Sequence, residues 1–241
     1  NFPGFPEGIL GPDLMDRMKE QAKRFGTTYI ADDVSSIEAC ESDSVKPTYR
    51  VTLSDDSQLE ASSLIIATGS SFRKLGVPGE QELSGHGVSY CATCDGFFFR
   101  NKPIVVVGGG DSAFEEALFL TRFGSSVTLI HRRDSFRASQ IMVDRAKANP
   151  TITLMTNTVV TSITGTSSPT QNTGAPIAIP GLTLKRPAVA PASVSSIAVR
   201  NVVTGEESTL DTNAVFVAIG HTPATDFAAG VVDRDDDGYV V

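Results

Sequence analysis

The sequence lacks several features that would assign it at once to a class of protein. It contains no run of about eighteen apolar residues, the length that a membrane-spanning helix requires. Its net charge is −8 over 241 residues, without the basic excess expected of a nucleic-acid-binding surface. Its three cysteines are too few for the disulfide framework of a small secreted protein. These absences predict a protein that binds neither membrane nor nucleic acid.

Two of the cysteines, Cys91 and Cys94, form a Cys-x-x-Cys pair followed by Asp95. The spacing places two thiols one turn apart, close enough for a disulfide, and such pairs often contain a reactive thiolate. Asp95 is a candidate acid or base for thiol exchange. The alternative is half of a zinc site, which needs four ligands. The other candidate ligands, none in a second pair, are Cys40, His86, His131 and His221. The pair therefore favours redox chemistry, and we expect no metal.

A glycine-rich turn is predicted between a strand at residues 104–107 and a helix that starts at Asp111, with another strand at residues 127–130. The turn and the start of the helix fit G-x-G-x-x-A. In this pattern the first glycine permits a tight turn, the second lets a pyrophosphate approach the backbone, and Ala113 allows the helix to pack closely on the strand. The strand–turn–helix context favours a nucleotide site over a purely structural turn. The expected site residues are Gly108, Gly110, Asp111, Ser112 and Ala113.

The end of the next strand distinguishes the two nicotinamide cofactors. An NAD site would place Asp or Glu there to hold the ribose 2′-hydroxyl. This sequence instead has His131, Arg132 and Arg133, followed by Arg137. Guanidinium groups bind a 2′-phosphate through charge-assisted hydrogen bonds, whereas a carboxylate would repel it. The alternative is a solvated basic patch. The cluster predicts NADPH.

Two other segments lead to structural predictions. Residues 64–67 form an apolar run that predicts a short buried strand, and residues 29–37 predict an earlier one. Residues 165–195 are rich in Ser, Thr, Pro, Ala and Gly and have no periodicity, which predicts a surface insertion between two strands.

With these motifs in order, the chain resembles the low-molecular-weight thioredoxin reductases. Residues 91–98 match the family's redox motif, residues 108–117 its nucleotide fingerprint, and residues 131–138 its 2′-phosphate motif. The family's segments at residues 1–4, 67–69 and 218–223 are also similar, so the likeness covers nearly the whole chain except the insertion. Residues 201–205 and 223–225 look most like the plant and algal branch.

The resemblance implies an α/β fold with two Rossmann-like nucleotide-binding domains, the NADPH domain being inserted in the FAD domain, as in pyridine nucleotide-disulfide oxidoreductases. Residues 1–73 would form the first part of the FAD domain, residues 74–220 the NADPH domain with the cysteine pair, and residues 221–241 the start of the return to the FAD domain. The family's own FAD fingerprint is expected before Asn1, and another flavin-binding segment after Val241. We therefore expect a reductase sequence truncated at both ends.

The resemblance also implies a thioredoxin-disulfide reductase, in which electrons pass from NADPH through FAD and the Cys91–Cys94 disulfide to oxidised thioredoxin. In the family the second cysteine faces the flavin, so Cys94 takes that role, Cys91 attacks thioredoxin, and Asp95 handles protons. With Cys94, the FAD-lining residues would be Asn1, Val34, Ala67, Thr68 and Gly69. The NADPH-lining residues would be Ser112, His131, Arg132, Arg133, Arg137, Ile219 and Gly220.

Two other functions are compatible with the same sequence: a flavoprotein of this fold that reduces another disulfide acceptor, and a non-catalytic NADPH-binding fragment. The family likeness implies a homodimer. The expected compartment is the cytoplasm, with the mitochondrion and the chloroplast as alternatives because the true N-terminus is expected to precede Asn1.

Overall fold

The chain forms two units in the computed structural model, which describes residues 2–40, 48–166, 178–179, 182–183 and 192–241. Unit 1 consists of Asn1–Gly69 and Pro223–Val241, and unit 2 consists of Ser70–Thr222. The sequence prediction placed the corresponding divisions after residues 73 and 220. Most of the predicted insertion at residues 165–195 lies outside the described residues. Within the described ranges, no helix is both long and apolar enough to cross a bilayer.

Unit 1 contains a long helix and a three-stranded antiparallel sheet in the order β1-β2-β3. The elements are α1 (Gly11–Arg24), β1 (Val34–Cys40), β2 (Thr48–Leu53), β3 (Gln58–Ala61) and a 3-10 turn at Asp226–Ala228. Ile37, Val51, Leu53 and Ala228 form its buried core. Helix α1 has Pro12 near its start and basic residues in its last turn, which suit the two ends of a helix.

The strand predicted at residues 64–67 is wrong. The structure has no strand there, and the side chain of Ile65 is 95% exposed. A continuous apolar run becomes a buried strand only where neighbouring strands pair with it, and no strand among the described residues does so. Leu64 and Ile66 instead pack at the edge of the unit 1 core. The strand predicted from residue 29 begins only at Val34.

Unit 2 is centred on a five-stranded parallel sheet in the order β5-β14-β6-β7-β8. A three-stranded antiparallel sheet, β13-β12-β9, adds a second layer. In chain order the elements are β4 (Ser70–Phe72), β5 (Val88–Ser89), α2 (Ala92–Asp95), a 3-10 turn (Gly96–Phe99), β6 (Pro103–Gly108), α3 (Asp111–Leu120), β7 (Ser126–Ile130), α4 (Gln140–Ala148), β8 (Ile152–Met155), β9 (Thr158–Thr166), β10 (Ala178–Ile179), β11 (Leu182–Thr183), β12 (Ser193–Asn201), β13 (Glu207–Asp211), β14 (Ala214–Ala218) and β15 (His221–Pro223), the last reaching the division between the units.

The parallel sheet is buried on both faces, which explains its β-branched sequence. Alternate residues of β6 point to opposite sides, so Ile104 and Val106 belong to a core with α3 and α4. Val105 and Val107 belong to the other core, which includes Ile163 of β9 and Ile197 of β12. Each fully buried aliphatic side chain contributes about 1.5–3 kcal/mol to folding. This layered packing fixes the carboxyl end of β6, where the glycine turn begins.

Candidate functional site

The glycine turn joins β6 to α3 and has two chemically different positions. A Cβ added at Gly108 would lie 2.6 Å from the Ala113 Cβ and would overlap the carbonyl oxygen of Ala218. Gly108 is therefore required for strand, helix and neighbouring strand to pack closely. A Cβ added at Gly110 would meet no atom within 4 Å. The backbone at Gly110 is open, at the first turn of a helix whose free amides favour an anion.

The basic segment after β7 folds back onto this turn. The backbone amides of Arg137 and Ala138 donate to the carbonyl oxygen of Gly109 at 2.9 and 3.1 Å. Asp111 accepts hydrogen bonds from the Ser139 amide at 2.8 Å and from its hydroxyl at 2.9 Å. These hydrogen bonds lower the pKa of Asp111, that to the Ser139 amide most. Asp111 thus holds the basic segment at the helix start, a contact between residues that the fingerprint alone did not predict.

The three arginines of this segment, Arg132, Arg133 and Arg137, are exposed. None forms a salt bridge with another residue in the part of the chain that the structure describes. His131 is partly buried, and its Nε2 is 3.0 Å from the carbonyl oxygen of Ser135. Burial lowers the pKa of His131, and the charges of Arg132 and Arg133 lower it further. The histidine is therefore a neutral support, while the guanidinium groups remain available to an anionic ligand.

Cys91 and Cys94 form a disulfide with a Cα–Cα distance of 5.3 Å. Cys91 caps the short helix α2, because its Sγ accepts the Cys94 amide at 3.3 Å. Cys94 is exposed and Cys91 is partly buried, so the pair lies at the surface of unit 2. Among the described residues, no group of three or more His, Cys, Asp or Glu side chains is arranged to hold a metal ion.

A buried serine links the disulfide to Asp95. The hydroxyl of Ser89 donates to Oδ2 of Asp95 at 2.6 Å, and Oγ of Ser89 accepts the Cys91 amide at 3.1 Å. Ser89 is only 4% exposed, so its rotamer is fixed by the surrounding core. It orients the carboxyl of Asp95 relative to the first cysteine. No motif in the sequence indicated Ser89, and only its position on β5, beside the pair, reveals it.

The residue before the first cysteine is anchored separately. The hydroxyl of Tyr90 donates to Glu80 at 3.0 Å, and burial, together with this carboxylate, raises the pKa of Tyr90 to about 12. Glu80 is 2% exposed and also accepts the amides of Leu75 and Gly76 at 2.8 and 2.7 Å. Sequence analysis missed this network because its members have no distinctive spacing. It fixes the backbone that leads into the redox pair.

Glu116 of α3 approaches the redox helix from the core side. Burial raises its pKa to about 7, against the weaker lowering effect of a hydrogen bond from the Ala92 amide. Its Oε2 is buried and has no hydrogen-bond partner within the described ranges. A carboxyl of this kind titrates near neutral pH, and Glu116 lies three residues after Ala113, on the same helix.

Replacing Glu116 with Gln is expected to change how stability depends on pH. The pKa in the folded state, about 7, lies above the ordinary value of 4.5, so the folded state binds more protons between these values. The proton on Glu116 therefore contributes fully to the unfolding free energy below about pH 4.5, and this contribution is lost as the pH rises through about 7. After allowance for solvent screening, Glu116→Gln should raise the unfolding free energy at pH 8 by about 1–2 kcal/mol relative to its effect at pH 5. Urea unfolding at both pH values measures this difference, and Glu115→Gln, an exposed neighbour, should show none.

The residues expected to line FAD lie in unit 1, except Cys94, and Asn1 lies outside the described residues. Val34 begins β1, and Ala67, Thr68 and Gly69 form an exposed segment outside any strand. The Thr68 hydroxyl donates to the Ala224 carbonyl oxygen at 2.6 Å, and the Ala224 amide donates to the Gly69 carbonyl oxygen at 3.0 Å. The segment is thereby held at the point where the chain returns to unit 1.

Ile219 and Gly220, expected to line NADPH, follow β14 in unit 2. Ile219 packs at the edge of the core shared with the antiparallel sheet. The Gly220 carbonyl oxygen accepts the Arg73 amide at 3.0 Å. Both residues therefore lie at the carboxyl end of β14, next to β6, whose carboxyl end carries the glycine turn.

A nucleotide turn with an arginine segment, in the same unit as a disulfide, defines a nucleotide-dependent disulfide oxidoreductase. A family described as pyridine nucleotide-disulphide oxidoreductase matches residues 13–241. The thioredoxin reductase of Mycolicibacterium smegmatis is 50% identical over all of this chain and 67% of its own length. Thioredoxin reductase 2 of Arabidopsis thaliana is 44% identical over all of this chain and 57% of its own length. The chain belongs to the thioredoxin reductases within the pyridine nucleotide-disulphide oxidoreductase family, whose cofactors are FAD and NADPH.

A solved structure gives the same assignment. The thioredoxin reductase of Streptococcus pyogenes is 37% identical, with a TM-score of 0.74 over all of this chain and 68% of that one. The predicted α/β pyridine nucleotide-disulfide oxidoreductase fold is confirmed. The plant and algal branch is not confirmed, since the bacterial relative is more similar than the plant one. The chain spans between 57 and 67% of the length of these two curated relatives.

Proposed function

We propose that the protein is a thioredoxin-disulfide reductase, which passes electrons from NADPH through FAD and the Cys91–Cys94 disulfide to oxidised thioredoxin. The observation that carries this proposal is the surface disulfide on α2, with Asp95 positioned beside it by Ser89. The disulfide and the nucleotide turn are built on the same parallel sheet. The relatives named thioredoxin reductases support this acceptor over another disulfide substrate.

The residues around the glycine turn fit NADPH. Gly110 leaves the backbone open to a pyrophosphate, and the exposed guanidinium groups of Arg132, Arg133 and Arg137 suit a 2′-phosphate. Burial and the neighbouring arginines lower the pKa of His131, which favours its neutral form. Ser112 and Ala113 lie in the first turn of α3, and Ile219 and Gly220 directly follow β14, the strand that pairs with β6. When bound, NADPH supplies two electrons as a hydride.

The residues in unit 1 fit one side of a flavin site. Ala67, Thr68 and Gly69 are exposed, and a Cβ added at Gly69 would meet no atom within 4 Å. Their backbone is therefore accessible to a planar ring system, while the hydrogen bonds to Ala224 hold it in place. We propose that these residues, with Asn1 and Val34, contact FAD, which supplies two-electron chemistry between hydride donor and disulfide.

The cysteine pair carries the exchange with thioredoxin. Two electrons break the S–S bond and leave Cys94 and Cys91 as thiols or thiolates. The Cys91 thiolate attacks one sulfur of the thioredoxin disulfide and forms a mixed disulfide, with the other thioredoxin sulfur as leaving group. Cys94 then attacks Cys91, which restores the disulfide and releases dithiol thioredoxin. Asp95, held by Ser89, gives a proton to the leaving thiolate and recovers it from the attacking thiol.

Replacing Arg132 and Arg133 with Gln is expected to weaken NADPH binding about 10²-fold and to change NADH binding little. Each guanidinium forms charge-assisted hydrogen bonds with the 2′-phosphate, which NADH lacks. Isothermal titration with each nucleotide measures both affinities. Arg145→Gln, which removes an exposed charge on α4, is the matched control. An equal loss for NADPH and NADH would contradict this assignment.

An anaerobic NADPH titration of the purified protein, with oxidised thioredoxin added at the end, tests the function. We expect a flavin absorption band that bleaches with NADPH and recovers as thioredoxin disulfide is consumed. Protein that bleaches and recovers only with another disulfide acceptor would overturn the thioredoxin assignment. Protein that binds NADPH but shows no flavin absorption would overturn the proposed electron path.

We also propose that the protein is a homodimer, as the family likeness suggests, and that its compartment is the cytoplasm. Sedimentation equilibrium gives the oligomeric state, and subcellular fractionation with antibody detection gives the compartment. A monomer at micromolar concentration, or recovery in an organelle fraction, would contradict the respective proposal.

A further inference from the structure

Two carboxyl groups lie near the redox pair, Asp95 on α2 and Glu116 on α3, and the exchange described above uses only Asp95. The second, Glu116, accepts the amide of Ala92, the residue directly after Cys91. Its other oxygen, Oε2, is buried and has no hydrogen-bond partner among the described residues. A buried polar atom without a partner costs free energy, so its retention calls for an explanation. The position next to the first cysteine supplies one.

Glu116 and Cys91 are coupled through the first turn of α2. The Ala92 amide donates to the Glu116 carboxyl, and the Cys94 amide donates to the Cys91 sulfur at 3.3 Å. In the disulfide this sulfur carries no charge. After reduction, a thiolate at Cys91 places a second negative charge at the same turn. Two like charges in a partly buried site cannot both form freely, so each disfavours ionisation of the other.

The elements packed against α3 carry no other ionisable group that would offset the repulsion between Glu116 and a Cys91 thiolate. The strands β6, β7 and β14 contain no ionisable side chain. On α4 the ionisable residues, Asp144, Arg145 and Lys147, are all exposed. On α2 the ionisable groups are Asp95, which is hydrogen-bonded to Ser89, and the cysteines themselves. On α3 itself, Asp111 is bonded to Ser139 and Glu115 is exposed.

We propose that Glu116 is a positioning residue that sets the charge of the reduced redox pair: it holds Ala92 in place and takes up a proton when the disulfide is reduced. The inference rests on the proposed function for its source of electrons. Two electrons and one proton convert the disulfide into one thiol and one thiolate, and a second proton from water converts the Glu116 carboxylate into a carboxylic acid. Reoxidation by thioredoxin releases that second proton.

The test compares Glu116→Gln with Glu115→Gln in the intact protein. Gln at position 116 keeps an oxygen to accept the Ala92 amide but cannot ionise, whereas Glu115 is exposed on the same helix. The pair is reduced with dithiothreitol, and the rate of alkylation at each cysteine is followed by mass spectrometry from pH 5 to 9. We expect Glu116→Gln to shift the thiolate profile of Cys91 to lower pH and to raise its alkylation rate at pH 7 about three- to tenfold. Glu115→Gln should match the wild type.

Identical profiles for wild type and Glu116→Gln, or equal shifts in both variants, would overturn the inference. If Glu116→Gln does not fold, infrared difference spectra of the wild type upon reduction decide the question. A new band of a protonated carboxyl near neutral pH supports the inference, and its absence overturns it. These measurements need neither flavin nor thioredoxin. A shifted profile in a protein that does not reduce thioredoxin would refute the proposed function alone, and an unshifted profile in an active reductase would refute this inference alone.

Discussion

Replacing Cys91 or Cys94 with serine is expected to lower kcat/KM for NADPH-dependent reduction of thioredoxin by about 10³-fold or more. A hydroxyl does not replace a thiolate as nucleophile or form a disulfide, so either variant lacks the only oxidisable pair that the described residues contain. The disulfide is built on α2, whereas the nucleotide turn lies between β6 and α3. NADPH affinity should therefore change less than twofold.

The free cysteine provides the matched control. Cys40 ends β1 in unit 1 and forms no disulfide, so Cys40→Ser makes the same chemical change away from the redox helix. Stopped-flow kinetics with thioredoxin as acceptor measures the loss, and isothermal titration measures NADPH binding. Substantial activity in Cys91→Ser, with activity lost in Cys40→Ser, would show that electrons leave by another route.

The strand, glycine turn and helix start at residues 104–111 were predictable from the sequence because all of their constraints are local. A β-branched strand, three glycines and the start of a helix lie within about ten consecutive residues, and each contributes a separate physical requirement. The same local information allowed Cys91, Cys94 and Asp95 to be predicted as one centre. Patterns of this kind can be recognised in a sequence because the local backbone, rather than a distant partner, meets their structural requirements.

The groups that support the site could not be predicted because the fold, and not a spacing pattern, gives them their partners. Ser89 meets Asp95 only because β5 ends under α2, and Glu116 meets Ala92 only because α3 packs beside that helix. Asp111 fits the fingerprint, yet its carboxylate binds Ser139, 28 residues later. The run at residues 64–67 was wrongly predicted as a strand for a similar reason. Its composition suits a buried strand, but strand formation depends on neighbours that composition does not reveal.

Two alanine substitutions in the glycine turn are expected to separate folding from nucleotide binding. Gly108→Ala adds a methyl group that meets the Ala113 Cβ at 2.6 Å and overlaps the Ala218 carbonyl oxygen. The packed core holds both of these atoms in place, so β6 and α3 must move apart to make room for the methyl group. Overpacking of this kind costs about 2–3 kcal/mol of unfolding free energy. NADPH binding should fall with the loss of folded protein and with the displaced helix start.

Gly110→Ala is the matched partner of that change. The added methyl group meets no atom within 4 Å, and the backbone at Gly110, with φ −99° and ψ 177°, is accessible to alanine. The unfolding free energy should therefore change by less than about 1 kcal/mol. The methyl group nevertheless occupies the space through which a pyrophosphate approaches the backbone, so the Kd for NADPH should rise about tenfold or more. Urea unfolding and isothermal titration measure the two quantities.

If Gly110→Ala kept full affinity while Gly108→Ala stayed stable, neither glycine would have the function assigned to it. A stable Gly110→Ala that binds NADPH weakly would locate the pyrophosphate at the start of α3.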